Sequence, residues 1–217
     1  MRRLGAAVMV LLAWSFVGAT AGPDLPVDRA VRRDFMKLKQ ALERGEGAEA
    51  AELASRGTLD QYDAARKLAL NAGDVDLESL PQLQVMLILQ FRYLADRKTL
   101  VKMTDGAGAF AWGIEQGLLK KETVAAFALR EVEADGDQAT AKLSQSGKAV
   151  KDLEFHFEKS PAGRWTLRFD KVMEAAEPQL ARVREQSKKS KVEFALYLME
   201  KTYGQPMPPE ILKGPIK

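Results

Sequence analysis

The chain has 217 residues, with 33 basic and 30 acidic side chains, one histidine and no cysteine. The missing cysteine excludes disulfides, thiolate nucleophiles, thiolate metal sites and iron–sulfur ligation. With Arg2 and Arg3 set aside the formal charge is about +1, so the chain carries no overall basic footprint for nucleic acid.

The opening stretch, MRRLGAAVMVLLAWSFVGATA, sets two arginines before the largely apolar, uncharged run Leu4–Val17 and ends on the small residues Ala19 and Ala21. This pattern predicts a secretory signal peptide over 1–21 with cleavage after Ala21. The run is short for a bilayer span, which needs about 20 apolar residues. No later segment is long and apolar enough, so no transmembrane segment is expected in the mature chain. No cysteine stands near the cleavage site, which excludes a bacterial lipoprotein. The expectation is export across the inner membrane, to the periplasm, of a chain starting at Gly22.

One α+β domain is expected over 22–203: helices over 28–117, a sheet over 124–170 and helices over 173–203, with a proline-rich tail over 204–217. Asp28 is placed as the cap of the first helix. Val31, Phe35, Leu38 and Leu42 form its apolar stripe at helical spacing, and Gly45 and Gly47 end it. A short helix over 48–55, carrying Leu53 and Ala54, closes at Gly57. Thr58 and Gln61 then give a capping-box pattern for a third helix, with Leu59, Tyr62, Leu68 and Leu70 inward and Asn71 and Gly73 as its stop. Pro81 opens QLQVMLILQFRYLA, a segment apolar on most of its surface and hence the expected central packing element. Short segments follow at 99–103 and 107–116. The glycines at 106, 108, 113 and 117 suggest close packing. The stretch DGAGAFAWG lacks the ending and the preceding strand of a phosphate loop.

From Val124 the apolar period changes to two. Phe127 and Leu129 share one parity, Val132 and Ala134 the other, and a bulge near Arg130 or Glu131 would bring all four to one face. Asp135-Gly136 supplies a turn. Ala139, Ala141 and Leu143 alternate with polar residues. After a polar connection, so do Leu153, Phe155 and Phe157, and after Pro161 and Gly163, Trp165, Leu167 and Phe169. The fold class is thus N-terminal helices packed on a curved four-stranded antiparallel meander with one apolar face, followed by C-terminal helices. Phe157 is set opposite Trp165, Phe155 opposite Leu167 and Leu153 opposite Phe169; on the other face Glu158 meets Arg164, His156 meets Thr166 and Glu154 meets Arg168. The helix from about Met173 is read with Leu180, Val183 and Ala176 on one side. A second C-terminal helix carries Phe194, Leu196, Tyr197, Leu198 and Tyr203. The tail either docks by Ile211 and Leu212 or stays loose.

His156 falls on the polar face between two glutamates, with no serine in a nucleophile-elbow context and no second histidine. That placement favours a solvent-facing strand residue over a catalytic one. One histidine with scattered carboxylates makes no zinc site, and no calcium loop is present. No metal, cofactor or catalytic residue is therefore assigned. Glu131 with Glu133, and Glu154 with Glu158, read as a charged sheet surface. A small apolar or amphiphilic ligand would be held between sheet and helices by Phe127, Phe155, Phe157, Trp165 and Phe169, with Met86, Phe91 and Trp112 from the helices. The same side chains also suit a solid core, and the volume between the layers decides. The run Arg182, Arg184, Lys188, Lys189 and Lys191 reads as a solvated helix end and linker, or as a surface for an envelope protein or a membrane. Its aromatics, Phe194 and Tyr197, come only after it, which weighs against the membrane.

The order of helices and meander, ending in F-H-F-E-K (Phe155–Lys159) and G-R-W-T-L (Gly163–Leu167), resembles the cone-shaped NTF2-like, cystatin-like α+β superfamily. The resemblance covers Val124–Asp170 and some preceding helices. It implies a bent sheet whose concave face forms a pocket closed by helices. In length, signal peptide and sheet placement the chain is similar to periplasmic phospholipid carriers of the toluene-tolerance type, though no functional residue maps from them. The functional expectation is an exported, non-catalytic binding or accessory protein of the cell envelope. The alternatives are a structural or interaction component and, last, a carboxylate-based enzyme.

Overall fold

In the computed structural model, residues 26–71, 76–119, 124 and 126–216 are described. The signal segment 1–21 and the stop at Gly73 lie outside them. Helix α1 spans Val27–Arg44 and buries the expected stripe together with Asp34 and Ala41. Its cap position is Pro26, without a side-chain bond; Asp28 lies inside the first turn and pairs with Arg32 one turn on. A carboxylate there complements the helix dipole instead of capping it.

Helix α2 is shorter than expected, Gly47–Ala51, because the chain then extends to meet the sheet. Ser55 N–H donates to Leu167 O (3.0 Å), and Leu167 N–H donates to Leu53 O (2.9 Å). That bridge fixes the start of α3, Arg56–Leu70. Ser55, not Thr58, is its cap, its hydroxyl accepting the Thr58 N–H, and Gly57 lies inside the helix. Helices α4 (Gln82–Leu94), α5 (Arg97–Lys102) and α6 (Gly106–Glu115) follow, the last two capped by Asp96 and Asp105. Helix α4 buries Val85, Leu87, Ile88, Leu89 and Phe91.

Strands β1 (Phe127–Asp135), β2 (Gln138–Gln145), β3 (Lys148–Lys159) and β4 (Trp165–Leu167) form an antiparallel sheet in the order β1-β2-β3-β4. The register of β1 on β2 shifts between Leu129 and Val132, the bulge that the parity change demands. β3 begins earlier than expected. Ser146 and Gly147, both at positive φ, make a two-residue hairpin loop, and a second irregularity follows opposite Leu143. The β3–β4 register departs from the expected one by two residues: Phe157 pairs with Leu167, Glu158 with Thr166 and Lys159 with Trp165. The loop causes this. Ser160 and Arg164 close around Pro161-Ala162-Gly163, with Arg164 N–H on Ser160 Oγ (3.2 Å) and Gly163 at φ +76°. An even shift leaves every side chain on its face.

β4 ends at Leu167, and Phe169 opens α7 (Phe169–Ser187), so the C-terminal helices begin before 173. Helix α8 spans Lys191–Tyr203. Val183, read as inward, is 47% exposed. Three residues, Glu177, Gln82 and Glu78, fasten this helical pair to α4 and to the turn Leu77–Ser79 before it. The Glu177 carboxylate accepts the N–H groups of Gln82 (3.0 Å) and Leu83 (2.7 Å), Gln82 Nε2 donates to Lys191 O (3.0 Å), and Glu78 accepts the N–H groups of Lys191 and Val192. The tail packs by Met207 and Ile211, while Leu212 turns outward.

The aromatics pack ring against ring. Phe35 meets Phe155 and Phe157 on the sheet, Tyr62 meets Phe110 at 4.9 Å, and Phe91 stacks on Trp112 at 5.6 Å. Helix α6 comes so close to α2 and α3 that a Cβ on Gly47 would stand 2.1 Å from Ala111 O, and one on Gly106 would stand 2.0 Å from Leu59 O. Both obstacles are backbone. A Cβ on Gly108, two residues on, would meet only ordinary contacts, the Asp105 carboxylate at 3.5 Å and Met103 Cα at 3.9 Å. Urea unfolding should therefore show opposite signs for two substitutions in one helix. Gly106→Ala should cost about 3 kcal/mol through forced separation of the helices, whereas Gly108→Ala should gain up to about 1 kcal/mol from helix propensity.

Candidate functional site

Two features lie side by side near the end of β4. The first is a buried tie. Asp170 is 8% exposed in the first turn of α7. Its Oδ1 accepts from Ser55 Oγ (3.0 Å) and Thr58 Oγ1 (3.2 Å), and its Oδ2 accepts from Arg168 Nη2 (2.7 Å). Its own N–H donates to Thr58 Oγ1. Burial alone would raise this carboxyl, but the bonds from Arg168 and Ser55 and the guanidinium charge outweigh it, leaving the group below its ordinary value. The α3 N-terminus makes room for it through Gly57, whose Cβ would approach Oδ2 to 2.9 Å.

The second is a groove of about 850 Å³ beside this tie. Ala48, Ala51 and Ala54 from α2 and its exit, with Ala107, Gly108 and Ala111 of α6, form its floor; Ser160, Pro161 and Ala162 of the β3–β4 loop face them. Its rim is charged. Arg164 pairs with Glu52, and Glu158 accepts the Arg56 N–H (3.1 Å). The Arg56 side chain projects into solvent near Asp60 (3.7 Å), and Lys159 is exposed. Such a site offers small methyl surfaces to an apolar body and two loosely held cations to an anionic end.

The residues expected to line a cavity are elsewhere. Phe155, Phe157, Trp165, Phe169 and Phe91 are buried in the core, and Phe127, Met86 and Trp112 are partly buried against it. None of them lines the groove. His156 is half-buried on the outer face of β3. Its Nδ1 lies 3.5 Å from Thr140 Oγ1, and it borders a shallow hollow with Lys142, Lys151 and Glu154. The expected partner Thr166 instead bonds Glu158 O, and Arg168 lies between Glu158 (3.9 Å) and Asp170. Glu131 pairs with Lys142 at 2.6 Å. Among the described residues no three His, Asp or Glu side chains converge as a metal site, and no helix is long and apolar enough to cross a membrane. The five basic residues Arg182, Arg184, Lys188, Lys189 and Lys191 lie together at the turn from α7 to α8.

Compared with protein-family models, curated proteins and solved structures, the chain matches none. What is established is the architecture: an α+β chain with helices before and after a four-stranded antiparallel sheet.

The tie makes a pH prediction. A carboxyl whose folded value is depressed stabilises the fold fully above its ordinary value of 3.8 and loses that contribution as pH falls through the lower, folded value. Asp170→Asn should therefore cost roughly 3 kcal/mol at neutral pH. The gap from wild type should narrow in acid, as thermal unfolding across a pH series would show.

Proposed function

We propose that the chain is an exported, non-catalytic binding protein of the bacterial cell envelope, whose ligand is a small amphiphile with an anionic end. The observation that carries this reading is the groove, floored by alanines and a glycine and rimmed by Arg56 and Lys159. Its volume is that of a small-molecule site. Export rests on the pattern of residues 1–21. An NTF2-like origin is part of the proposal, supported by the helices-then-meander order. In that superfamily the pocket lies between sheet and helices. Here that space holds the rings of Phe35, Phe155 and Phe157, and the ligand is assigned to the outer side of the β3–β4 hairpin.

The test is native mass spectrometry of the chain purified gently from an envelope fraction, followed by organic extraction, beside titration with the anionic probe anilinonaphthalene sulfonate. Wild type should carry an extractable amphiphile or bind the probe saturably. Ala48→Trp, which fills an exposed part of the floor, should lose about tenfold or more in affinity, since burying a small ligand's apolar surface is worth more than 1.4 kcal/mol, while the unfolding midpoint stays put. A wild-type chain that binds neither, or a variant that binds as well as wild type, overturns the reading.

A further inference from the structure

We propose that the α7–α8 hairpin is a docking surface for an anionic lipid bilayer. From Arg182 to Lys191 the chain holds five cations and one acid, Glu185. None of the ion pairs among the described residues involves Arg182, Arg184, Lys188, Lys189 or Lys201. Neighbouring carboxylates are committed to backbone: Glu193 to Ser190 N–H (2.9 Å), Glu78 to the first turn of α8, and Glu177 to the first turn of α4. The near-neutral chain thus gathers five cations against one acid of the same run, and the neighbouring carboxylates are held on backbone N–H groups instead of on these side chains.

The fold also removes the objection raised by residue order. Tyr197 follows the basic run in sequence, but α8 folds back so that Lys189 Nζ stands 5.5 Å from the ring centroid and Lys201 Nζ 5.6 Å from it. Tyr197 is 39% exposed, and Val183 on α7 is 47% exposed. An exposed aromatic between lysines suits a bilayer interface, where the ring sits at the headgroups and the ammonium groups reach lipid phosphates. The hairpin is preformed for this: Lys188 takes the left-handed conformation at φ 55°, and Ser190 and Glu193 close a capping box. Neither the groove nor the hollow at His156 is lined by these residues.

The experiment is flotation with vesicles of phosphatidylcholine mixed with phosphatidylglycerol, against phosphatidylcholine alone. It uses the chain from Gly22 onward, which contains every element described, so that the apolar N-terminal segment does not itself bring the protein to lipid. Wild type should float with the mixed vesicles only, and salt should weaken this. The double variant R182E/K188E, at two exposed positions with no side-chain partner among the described residues, should lose at least about tenfold in partitioning. Tyr197→Ala should lose severalfold at unchanged charge. Circular dichroism should show both variants folded; should Tyr197→Ala not fold, Tyr197→Gln replaces it. Absence of binding to the mixed vesicles, or binding undiminished by R182E/K188E, overturns the proposal. Capture by polyglutamate without flotation also overturns it, in favour of an acidic protein partner. Ala48→Trp should float like wild type, which separates this surface from the groove.

Discussion

The carboxylate of Asp170 joins two segments more than a hundred residues apart: the start of α3, at its cap Ser55 and at Thr58, and the end of the sheet, at Arg168. Much of the local geometry follows. Because Ser55 is held there, residues 53–55 run extended along β4 and exchange two backbone bonds with Leu167. Because Asp170 accepts from the α3 cap, the chain turns from strand to helix at Phe169, and that ring comes to lie 5.8 Å from Phe110. A buried carboxylate is costly unless its lone pairs are filled. Here a guanidinium and two hydroxyls fill them.

Buried charge is handled differently elsewhere. Asp34 is held below its ordinary value against its burial by Arg33 and by the Trp165 N–H, so it also covers a donor on the outer edge of β4. At the opposite edge, Arg32 donates to the carbonyls of Leu129 and Arg130, and Lys39 to that of Phe127. Helix α1 thus uses charged side chains to cover open backbone groups at both ends of the sheet, a defence against strand addition. Arg92, 1% exposed, has no carboxylate partner among the described residues. It donates to the carbonyls of Leu68, Ala69, Ile211 and Leu212, and burial lowers its pKa. The C-terminal end of α3, the negative pole of its dipole, and the carbonyls of Ile211 and Leu212 in the tail supply the compensation. The same contacts fasten the C-terminal segment to α4.

The faces of β1, β2 and the second half of β3 were legible in the sequence, where the change of parity calls for the bulge between Leu129 and Val132; the first half of β3, with its irregularity opposite Leu143, lies in what reads as a polar connection. The β3–β4 register was not legible, because it depends on a three-residue loop closed by the Ser160 hydroxyl, and hydrophobic alternation is unchanged by a shift of two. The start of α3 was misplaced for a related reason. Ser55 and Thr58 are both plausible caps, and only the partner strand, more than a hundred residues away, selects between them. The groove left no aromatic or charged signature. Its floor comes from alanines in AEAAELAS and GAGAFA, which read as ordinary helix formers. The aromatics carry the stronger sequence signal, and they fill the interior.

The groove persists because opposing constraints set its two walls. On one side Gly47 and Gly106 let the α6 backbone meet α2 and α3 without intervening side chains. The floor is therefore made of methyl groups lying close to the helix axes. On the other side the β3–β4 hairpin is held at its distance by charge, through Glu158 on the α3 N-terminus and Arg164 on Glu52. Collapse would require the loop to bury Lys159 or Arg56 against alanine, at a desolvation cost that the small apolar contact could not offset. Larger side chains on the floor would fill the space, and smaller charges on the rim would let it close. The vacancy thus follows from residue sizes and charges that read, each alone, as unexceptional.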